Sequence, residues 1–357
     1  MTDAKPTRYA FFRDLFLGMI GLALGRLFPT LHVAPKDLTG KIAVITGANS
    51  GIGFQIALDL TKQGAIVYLA CRSQSKAEQA ISEIVKQVPG SDSRLRSLVL
   101  DTSSLISVKE AIEGLKRDVP LIDILVHNAG IGTGSTTEVG FTQERLPVVY
   151  ATNFLGSFLM THLLESHLAD DAHVVLTTST GQYAGRFSSD FALKPVYDKV
   201  EMGFHCPPAS PDSLTRDSSL YSNTKSMQCC FAKLLRDRWQ RIAAAQGKVN
   251  KRYVNAFTPG FTFTPIFEKV SKRPFAEDPS FWLLRMTASW IGTHVSQGAA
   301  TGVWLSTTVD KMVLSRENGG GYWERMSRRV STADMIGREK LERLWVRWEK
   351  DAGVEWR

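Results

Sequence analysis

The sequence predicts an α/β fold, a doubly wound parallel sheet with helices on both faces. Short apolar segments of strand length alternate with segments of helical periodicity, and a glycine-rich turn joins the first strand to the first helix. Strands that are apolar along their whole length are typical of parallel sheets covered on both faces. The 357 residues, 43% of them hydrophobic and 22% charged, have an ordinary globular composition. That composition excludes a disordered, collagen-like or polytopic membrane protein.

The elements are predicted in chain order from the spacing of their apolar residues. Strand-like apolar runs bounded by glycine or polar residues occupy 41–46, 65–70, 96–100, 122–126, 173–178 and 253–258. Between them, apolar residues three and four apart indicate helices at 52–63, 75–88, 107–116, 142–167 and 220–246. Strands and helices alternate through the first half of the chain, as repeated βαβ units require.

The N-terminal segment, residues 1–35, is predicted to lie outside the main domain. Its uncharged stretch, Leu15–Gly25, has 11 residues, whereas a helix that spans a bilayer needs about 20. No clear small-residue cleavage site follows, as a secretory signal would require. Two alternatives stay open for residues 9–28: a helix lying in a membrane surface, or a helix packed on the domain. We favour membrane contact and expect this segment to contribute nothing to chemistry.

The C-terminal segment, residues 331–357, is predicted to form an amphipathic helix. Leu341, Leu344, Trp345 and Trp348 recur at helical spacing and share one face. A face of this kind more often packs on a core than binds a partner.

Charge and cysteine usage narrow the classes of partner. The net charge is +8, and seven basic residues lie between 231 and 253. We interpret this run as a solvated helix face near the negative end of the helix dipole. The run is not a repeat of basic residues interleaved with aromatic ones, so nucleic-acid binding is not expected. The four cysteines form no CxxC pair, which predicts no metal site and a reducing compartment.

The first strand leads directly into a candidate phosphate-binding turn. The turn reads TGANSGIG from Thr46 to Gly53 and opens onto a helix. Glycines let the backbone turn tightly and let a pyrophosphate approach, while the helix N-terminus offers free N–H groups and positive potential. A second strand ends about 20 residues later, which is the context expected for a dinucleotide site. The predicted fold is therefore of the Rossmann type.

Two residues at the ends of the next strands indicate which dinucleotide binds. The second strand ends at Cys71-Arg72-Ser73, where NAD-binding sites usually offer a carboxylate to the ribose. A guanidinium instead suits a 2′-phosphate through charge-assisted hydrogen bonds, so Arg72 favours NADP(H) over NAD(H). Asp101 closes the third strand, where its side chain either meets the adenine edge or caps the next turn.

Tyr221 and Lys225 stand four residues apart and share one face of a predicted helix. A phenol is a poor acid or base near neutrality, because its ordinary pKa is about 10. A neighbouring ammonium group favours the phenolate and lowers that pKa. The interpretation of the pair as catalytic is strengthened by Ser179, which ends an earlier apolar strand.

These motifs, in this order, resemble the short-chain dehydrogenase/reductase family of the classical type, over roughly residues 40–325. The matching segments are TGANSGIG at 46–53, HNAG at 127–130, NFLG at 153–156, TTS at 177–179, the Tyr221/Lys225 pair and PGFTFT at 259–264. His127 stands where the family has an Asn. The segments around 71–72, 297–299 and 320–322 are most similar to the retinol-dehydrogenase-like branch.

The resemblance implies a catalytic role for four residues. Tyr221 would be the general acid in carbonyl reduction and the base in alcohol oxidation. Lys225 would hold the nicotinamide ribose and lower the pKa of Tyr221. Ser179 would hydrogen-bond the substrate oxygen, and Asn153 would anchor a water that links Lys225 to solvent. Each role has a structural alternative. Ser179 could only cap a turn, in which case the neighbouring Thr178 hydroxyl could take the catalytic role. Asn153 could only form hydrogen bonds with the backbone inside a helix.

The predicted NADP(H) contacts combine the glycine turn, the two strand ends and the motifs of the resemblance. They are Gly47, Ser50, Gly51, Ile52, Gly53, Arg72, Asp101, Asn128, Tyr221, Lys225, Thr262 and Thr264.

Ser179 and Tyr221 lie 42 positions apart, a longer link than the family usually has. The interval 182–219, with several prolines and aromatics, is interpreted as an insertion at the mouth of the site. The adjacent His205 and Cys206 within it do not make a metal site. The segment 266–296, rich in Phe and Trp, is predicted to form the other wall. Both walls favour a lipophilic substrate.

The sequence therefore predicts one NADP(H)-binding domain, residues 36–330, between the two terminal segments. Its predicted function is the NADP(H)-dependent interconversion of a lipophilic alcohol and its ketone or aldehyde, in a secondary-metabolite or lipid pathway. The alternatives are a non-catalytic NADP(H)-binding scaffold and a membrane-surface lipid-binding protein. An intracellular location at endoplasmic reticulum or lipid-droplet membranes is expected, and a homodimer is left open.

Overall fold

The computed structural model describes residues 6–132, 140–185, 213–262, 292–310, 313, 315 and 319–356. Some of the predictions fall outside them: Thr264, the pair His205 and Cys206, and most of the segments 182–219 and 266–296.

Helices and strands alternate as predicted, with additions at both ends. The helices are α1 Arg8–Leu24, α2 Gly51–Lys62, α3 Gln74–Gln87, α4 Leu105–Asp118, α5 Val148–Tyr150, α6 Gly156–Leu164, α7 Ser213–Ala245, α8 Val295–Thr307, α9 Thr332–Met335 and α10 Arg338–Ala352. The strands are β1 Ile42–Thr46, β2 Ile66–Cys71, β3 Leu95–Val99, β4 Ile122–His127, β5 Leu168–Thr177, β6 Tyr253–Thr258, β7 Tyr322–Glu324 and β8 Ser327–Arg329. A π-helical turn, Ala151–Leu155, joins α5 to α6, and a 3-10 turn, Thr180–Ala184, follows β5.

Within the described residues the strands form one sheet in the order β3-β2-β1-β4-β5-β6-β7-β8. Neighbouring strands from β3 through β7 run parallel, which confirms the predicted sheet, and β8 adds an antiparallel edge. The order reverses direction between β1 and β4. In open parallel sheets of this kind, ligands bind at the carboxyl ends of the strands near such a reversal.

Helices cover both faces of the sheet, as predicted. One apolar cluster contains side chains of α2, α3 and α8, including Ile56, Ile84 and Val303. The other contains side chains of α4, α6, α7 and α10, including Phe158 and Phe231. Because the strands contribute buried side chains to both clusters, their sequences are apolar throughout rather than alternating.

The predicted helix over 142–167 is wrong at its start. Helix α5 begins at Val148, directly after Pro147. The preceding residues form a turn in which the Leu146 carbonyl accepts the Thr142 N–H at 2.8 Å, and Phe141 pairs with Pro147 as an isolated bridge. A proline disfavours helical geometry in the residue before it, so the helix cannot extend N-terminally through Leu146.

The sequence did not predict α8, β7 or β8. Helix α8 is buried nearly all round, so it lacks the one-sided periodicity that identifies a surface helix. Strands β7 and β8 have three residues each. They form because the edge of β6 offers unpaired backbone groups, which a local sequence pattern does not show.

The C-terminal helix α10 is a part of the core. Leu341, Leu344 and Trp348 are buried, and the Trp348 ring packs on Phe154 with centroids 4.5 Å apart. Helix α10 thus lies against the π-helical turn, which agrees with the packing interpretation of its apolar face.

Helix α1 packs on the domain by one face and exposes the other. Asp14 is 1% exposed and accepts the Val330 N–H at 2.8 Å. Large apolar side chains are exposed on the outer side, among them Phe12 and Phe16. No helix in the described part of the chain is long and apolar enough to cross a membrane.

The basic run between 231 and 253 is largely engaged within the fold. Lys233 pairs with Asp334, Arg238 pairs with Glu165, and Arg252 donates to the backbone of β5 at 2.7 and 3.0 Å. The run therefore has a structural role, as expected, but these three side chains are paired within the fold rather than solvated.

Candidate active site

The glycine turn between β1 and α2 is built for close approach of a ligand. Gly47 and Gly51 have positive φ angles of 66° and 60°, a conformation that L side chains rarely adopt. A Cβ at Gly53 would lie 2.5 Å from the Gly47 oxygen. The Ser50 side chain, at the N-cap of α2, makes no capping hydrogen bond. The first N–H groups of the helix therefore stay available to an anion.

Asn128 holds this turn in place. Its backbone N–H donates to the Thr46 hydroxyl at 2.9 Å, and its side chain donates to the Thr46 carbonyl at 3.1 Å and to that of Gly47 at 3.4 Å. The Ala129 N–H reaches the same Thr46 hydroxyl at 3.0 Å. The predicted cofactor residue Asn128 thus fixes the shape of the turn, and Thr46, which the sequence analysis missed, is its partner.

Arg72 and Asp101 lie at the carboxyl ends of β2 and β3, with different surroundings. Arg72 is exposed, and its side chain makes no hydrogen bond or ion pair to any described residue. Asp101 accepts the N–H and the hydroxyl of Ser103 on one carboxylate oxygen, at 2.9 and 2.7 Å. The Asp101 side chain therefore shapes the turn before α4, which was the structural alternative for this residue.

Asn153 lies in the π-helical turn and links three elements. Its side chain accepts the Ile131 N–H at 2.7 Å, donates to the Ile131 carbonyl at 3.0 Å and donates to the Thr224 hydroxyl on α7 at 3.3 Å. π-helical turns are rare in proteins, and those that occur often lie at functional sites. The side-chain amide is engaged with protein groups, which supports a positioning role for Asn153; the expected water anchor stays a prediction.

Ser179, Tyr221 and Lys225 meet where β5 ends against α7. Ser179 caps the 3-10 turn by accepting the Gly181 N–H at 3.1 Å, and its hydroxyl is close enough to that of Tyr221 to lower the pKa of the phenol. The Lys225 ammonium lies 5.6 Å from the centre of the Tyr221 ring and donates to the Thr177 carbonyl at 2.8 Å. The structure thus brings together the three residues that the sequence placed in one constellation.

Burial sets the pKa values of this constellation. Tyr221 keeps some accessible surface, but the surrounding protein raises its pKa because the loss of water disfavours the phenolate; the Ser179 hydrogen bond acts in the opposite direction. Burial lowers the pKa of Lys225 to about 8. Desolvation and Ser179 are the influences on the Tyr221 pKa in this structure, and the lowering by Lys225, helped by the charge of an oxidised nicotinamide, stays a prediction.

Gln228 is a further site residue that the sequence analysis missed. It is buried, donates to the Asn153 carbonyl at 2.8 Å and accepts from the Lys225 ammonium at 3.4 Å. Its position three residues after Lys225, on the same face of α7, is the signal that could have identified it.

Thr262, the fourth residue of the motif at 259–264, faces the beginning of α2. Its hydroxyl donates to the Pro259 carbonyl at 2.8 Å. A Cβ at Gly298 would lie 2.3 Å from the Thr262 hydroxyl and 2.9 Å from Ile52. Helix α8 therefore packs Thr262 against the phosphate-binding turn.

A family model described as short chain dehydrogenase matches residues 41–189. Dehydrogenase/reductase SDR family member 13 of Bos taurus is 33% identical over 262 residues, which cover 69% of this chain and 63% of that protein. The chain belongs to the short-chain dehydrogenase/reductase family. Retinol dehydrogenase 12 of Bos taurus is 39% identical over 154 residues, covering 42% of this chain and 46% of that one. The relation to the retinol-dehydrogenase-like branch is thereby confirmed, although the chain spans only about half to two thirds of these relatives.

Solved structures show the same fold for this short-chain dehydrogenase/reductase. A protein from Mycobacterium paratuberculosis has a TM-score of 0.62 at 22% identity, covering 91% of this chain and all of that one. L-sorbose reductase from Gluconobacter frateurii, in complex with NADPH and L-sorbose, has a TM-score of 0.56 at 20% identity, covering 80% and 95% of the two chains.

Proposed function

We propose that this short-chain dehydrogenase/reductase is an NADP(H)-dependent oxidoreductase that interconverts a lipophilic alcohol and its ketone or aldehyde. The observation that carries the proposal is the meeting of Ser179, Tyr221 and Lys225 at the carboxyl end of the sheet. Two neighbouring hydroxyls beside a buried ammonium can bind a carbonyl oxygen and deliver a proton to it.

The chain's residues fit a dinucleotide at this edge of the sheet. The uncapped start of α2 and the missing Cβ of Gly53 leave room and N–H donors for a pyrophosphate. Arg72, exposed and without a partner among the described residues, would take a 2′-phosphate. Lys225 would hold the nicotinamide ribose, and Thr262 would lie beside the ring. NADPH in the complex of L-sorbose reductase supports the same choice of cofactor.

The cofactor supplies or accepts the hydride when it is bound. In reduction, the Tyr221 hydroxyl donates its proton to the substrate oxygen, and the Ser179 hydroxyl donates a hydrogen bond to the same oxygen. The raised pKa of Tyr221 keeps this proton in place throughout the neutral range. Asn153 and Gln228 hold α7 against the π-helical turn, and so fix the position of Lys225.

A lipophilic substrate is supported by the aromatic composition of 182–219 and 266–296 and by the relation to retinol dehydrogenase 12, which is named for an apolar alcohol. The non-catalytic scaffold is the competing function. It has no need for a serine and a tyrosine hydroxyl placed close together beside a buried lysine.

The proposal is tested by NADPH oxidation with a panel of lipophilic ketones and aldehydes between pH 6 and 10. We expect turnover that is level at lower pH, where Lys225 is protonated, is halved near pH 8 and falls further above it as the ammonium group is lost. Tyr221 does not limit the rate in this range, because its pKa is raised above the ordinary value. The measurement is kcat/KM for the carbonyl substrate at saturating NADPH.

Lys225→Arg is the matched variant for this assay. A guanidinium keeps its charge above pH 8, so the fall should move to higher pH whatever the variant's absolute rate. Absence of turnover with every substrate would favour the non-catalytic scaffold. A fall of kcat/KM centred near pH 7 would mean that a group other than Lys225 causes the loss of activity at high pH.

We also propose that the outer face of α1 contacts a membrane surface, at the endoplasmic reticulum or at lipid droplets. Tyr9, Phe12, Phe16 and Met19 lie three and four residues apart, and their exposed fractions are 77%, 61%, 65% and 59%. An apolar stripe of this kind, with Arg8 and Arg13 beside it, suits the boundary between headgroups and acyl chains.

Flotation with vesicles of phosphatidylcholine and phosphatidylserine measures this contact. The double variant Phe12→Ser/Phe16→Ser should lose vesicle binding. Val249→Ser/Val309→Ser removes two other exposed apolar side chains and should bind like the wild type. Unchanged flotation of the first variant would contradict the proposal.

A further inference from the structure

The inner face of α1 lies against the 3-10 turn that begins directly after Ser179. A Cβ at Gly18 would lie 2.9 Å from the Thr180 methyl group, closer than real Cβ contacts allow. About two helical turns toward the N-terminus, the Phe11 ring meets the Tyr183 ring edge-on, with centroids 5.3 Å apart. The helix therefore contacts both the first and the fourth residue of this turn.

A second link between α1 and the turn passes through Val330, at the end of β8. The Val330 N–H donates to the Asp14 carboxylate at 2.8 Å, and the Val330 carbonyl accepts the Tyr183 hydroxyl at 2.8 Å. Asp14 is buried, and its other oxygen pairs with Arg13 at 2.8 Å. A buried carboxylate that accepts a backbone N–H forms a strong, directional contact, so the helix is fixed in position as well as packed.

The remaining side of the turn is held by other elements. The Gln182 backbone carbonyl accepts a hydrogen bond from the Ser226 hydroxyl of α7 at 2.6 Å. The Gln182 side-chain oxygen accepts one from the Thr332 N–H at 2.9 Å. The Thr180 N–H donates to Thr258 at 3.2 Å. Helix α1 thus adds its contacts at Thr180 and Tyr183 to a turn that α7 and β6 hold elsewhere.

From these contacts we infer that α1 is a positioning element for Ser179: Gly18 and Asp14 fix the turn that orients the Ser179 hydroxyl toward Tyr221. The inference rests on the proposed function, since Ser179 and Tyr221 are taken as the groups that bind and protonate the substrate oxygen. It reverses the expectation that residues 1–30 contribute nothing to chemistry. Asp14 and Gly18 touch no reacting atom, so they act only through the turn.

Gly18→Ala tests the contact with a single added methyl group. The methyl must displace Thr180, and with it Ser179. We expect kcat to fall by about 10- to 100-fold, the scale of a small misplacement of a catalytic group, with NADPH affinity unchanged. Alanine is a better helix former than glycine, so a loss of kcat cannot come from unfolding α1. Leu24→Ala, on the exposed side of the same helix, is the control and should retain the wild-type kcat.

A second substitution that relieves the contact between residue 18 and Thr180 should restore part of the lost kcat. Thr180→Ser removes the methyl group that the new Cβ would strike and keeps the hydroxyl. The effect of Gly18→Ala should therefore be several-fold smaller when it is measured in a Thr180→Ser background. Asp14 offers a second pair: Asp14→Asn keeps an oxygen for the Val330 N–H and should retain more of kcat than Asp14→Leu. Equal loss in both backgrounds and in both Asp14 variants would overturn the inference.

A pH profile separates a positioning role from a merely structural one. The Ser179 hydrogen bond lowers the pKa of Tyr221, and Lys225 is the titratable group that faces the Tyr221 ring. Displacing Ser179 should therefore raise the kinetic pKa of alcohol oxidation in Gly18→Ala. A fraction of unfolded enzyme would lower the rate and leave this pKa unchanged. An unchanged kinetic pKa would overturn the inference.

The same comparison can be made without turnover. In protein labelled with ¹³C at the tyrosine Cζ, the resonance absent from Tyr221→Phe reports the Tyr221 titration. If the wild type reduces no carbonyl substrate, the proposed function fails, and a higher Tyr221 pKa in Gly18→Ala than in the wild type still supports the positioning contact. Identical titrations in the two proteins would refute it.

Discussion

Replacing Tyr221 by Phe should lower kcat for carbonyl reduction by about 100-fold or more, the usual scale for losing general acid catalysis. Hydride delivery to a carbonyl carbon leaves negative charge on the oxygen, so a proton must arrive with it. Within the constellation, Lys225 donates to the Thr177 carbonyl at 2.8 Å and a serine hydroxyl is a weaker acid than a phenol. Phenylalanine keeps the ring that packs beside Lys225 and removes only the proton donor.

NADPH affinity, measured by fluorescence quenching, should be nearly unchanged in Tyr221→Phe. Tyr253→Phe removes a phenolic hydroxyl at the start of β6, away from the site, and should keep the wild-type kcat. Lys225→Met should lose turnover and also weaken NADPH binding, because its ribose contact is lost. The assay must be limited by chemistry, as shown by an isotope effect with deuterated NADPH. A near-normal kcat for Tyr221→Phe under these conditions would mean that another group supplies the proton.

Arg72→Asp should weaken NADPH binding by about 10- to 100-fold or more and should affect NADH little. Hydrogen bonds to charged groups contribute about 1.5–3 kcal/mol each, and a carboxylate would in addition repel the 2′-phosphate. The same carboxylate can accept hydrogen bonds from the ribose hydroxyls of NADH. Arg72 is exposed at the end of β2, with no described partner to lose, so the substitution should not disturb the fold.

The readout for Arg72→Asp is the ratio of kcat/KM with NADPH to kcat/KM with NADH. Arg96→Asp makes the same change of charge on β3, where the Arg96 side chain donates to the Leu95 carbonyl, and should leave that ratio unchanged. Equal losses with both cofactors in Arg72→Asp would show that Arg72 does not contact the 2′-phosphate.

The parts of this protein that the sequence predicted well depend on neighbours close in the chain. The glycine turn needs positive φ angles at Gly47 and Gly51, a property of single residues. Tyr221 and Lys225 share a face of α7 because they are one helical turn apart. The buried strands were recognisable because apolar runs of this length have no other stable place in a protein of this composition.

Other features were decided by contacts between distant segments. The Asn153 side chain engages Ile131, 22 positions away, and Thr224, 71 positions away. Burial raises the pKa of Tyr221, and this desolvation depends on everything packed around the hydroxyl.

The sequence by itself thus determined where along the chain the main parallel strands lie, the phosphate-binding turn, and the placement of Tyr221 and Lys225 on one face of a helix. Only the tertiary structure decided the role of α1. An apolar N-terminal segment looks the same in sequence whether its glycines face lipid or protein. Gly18 and Asp14 acquire a function from Thr180 and Val330, which lie more than 150 positions away along the chain. Contacts over such separations depend on the whole fold, and no local pattern of residues specifies them.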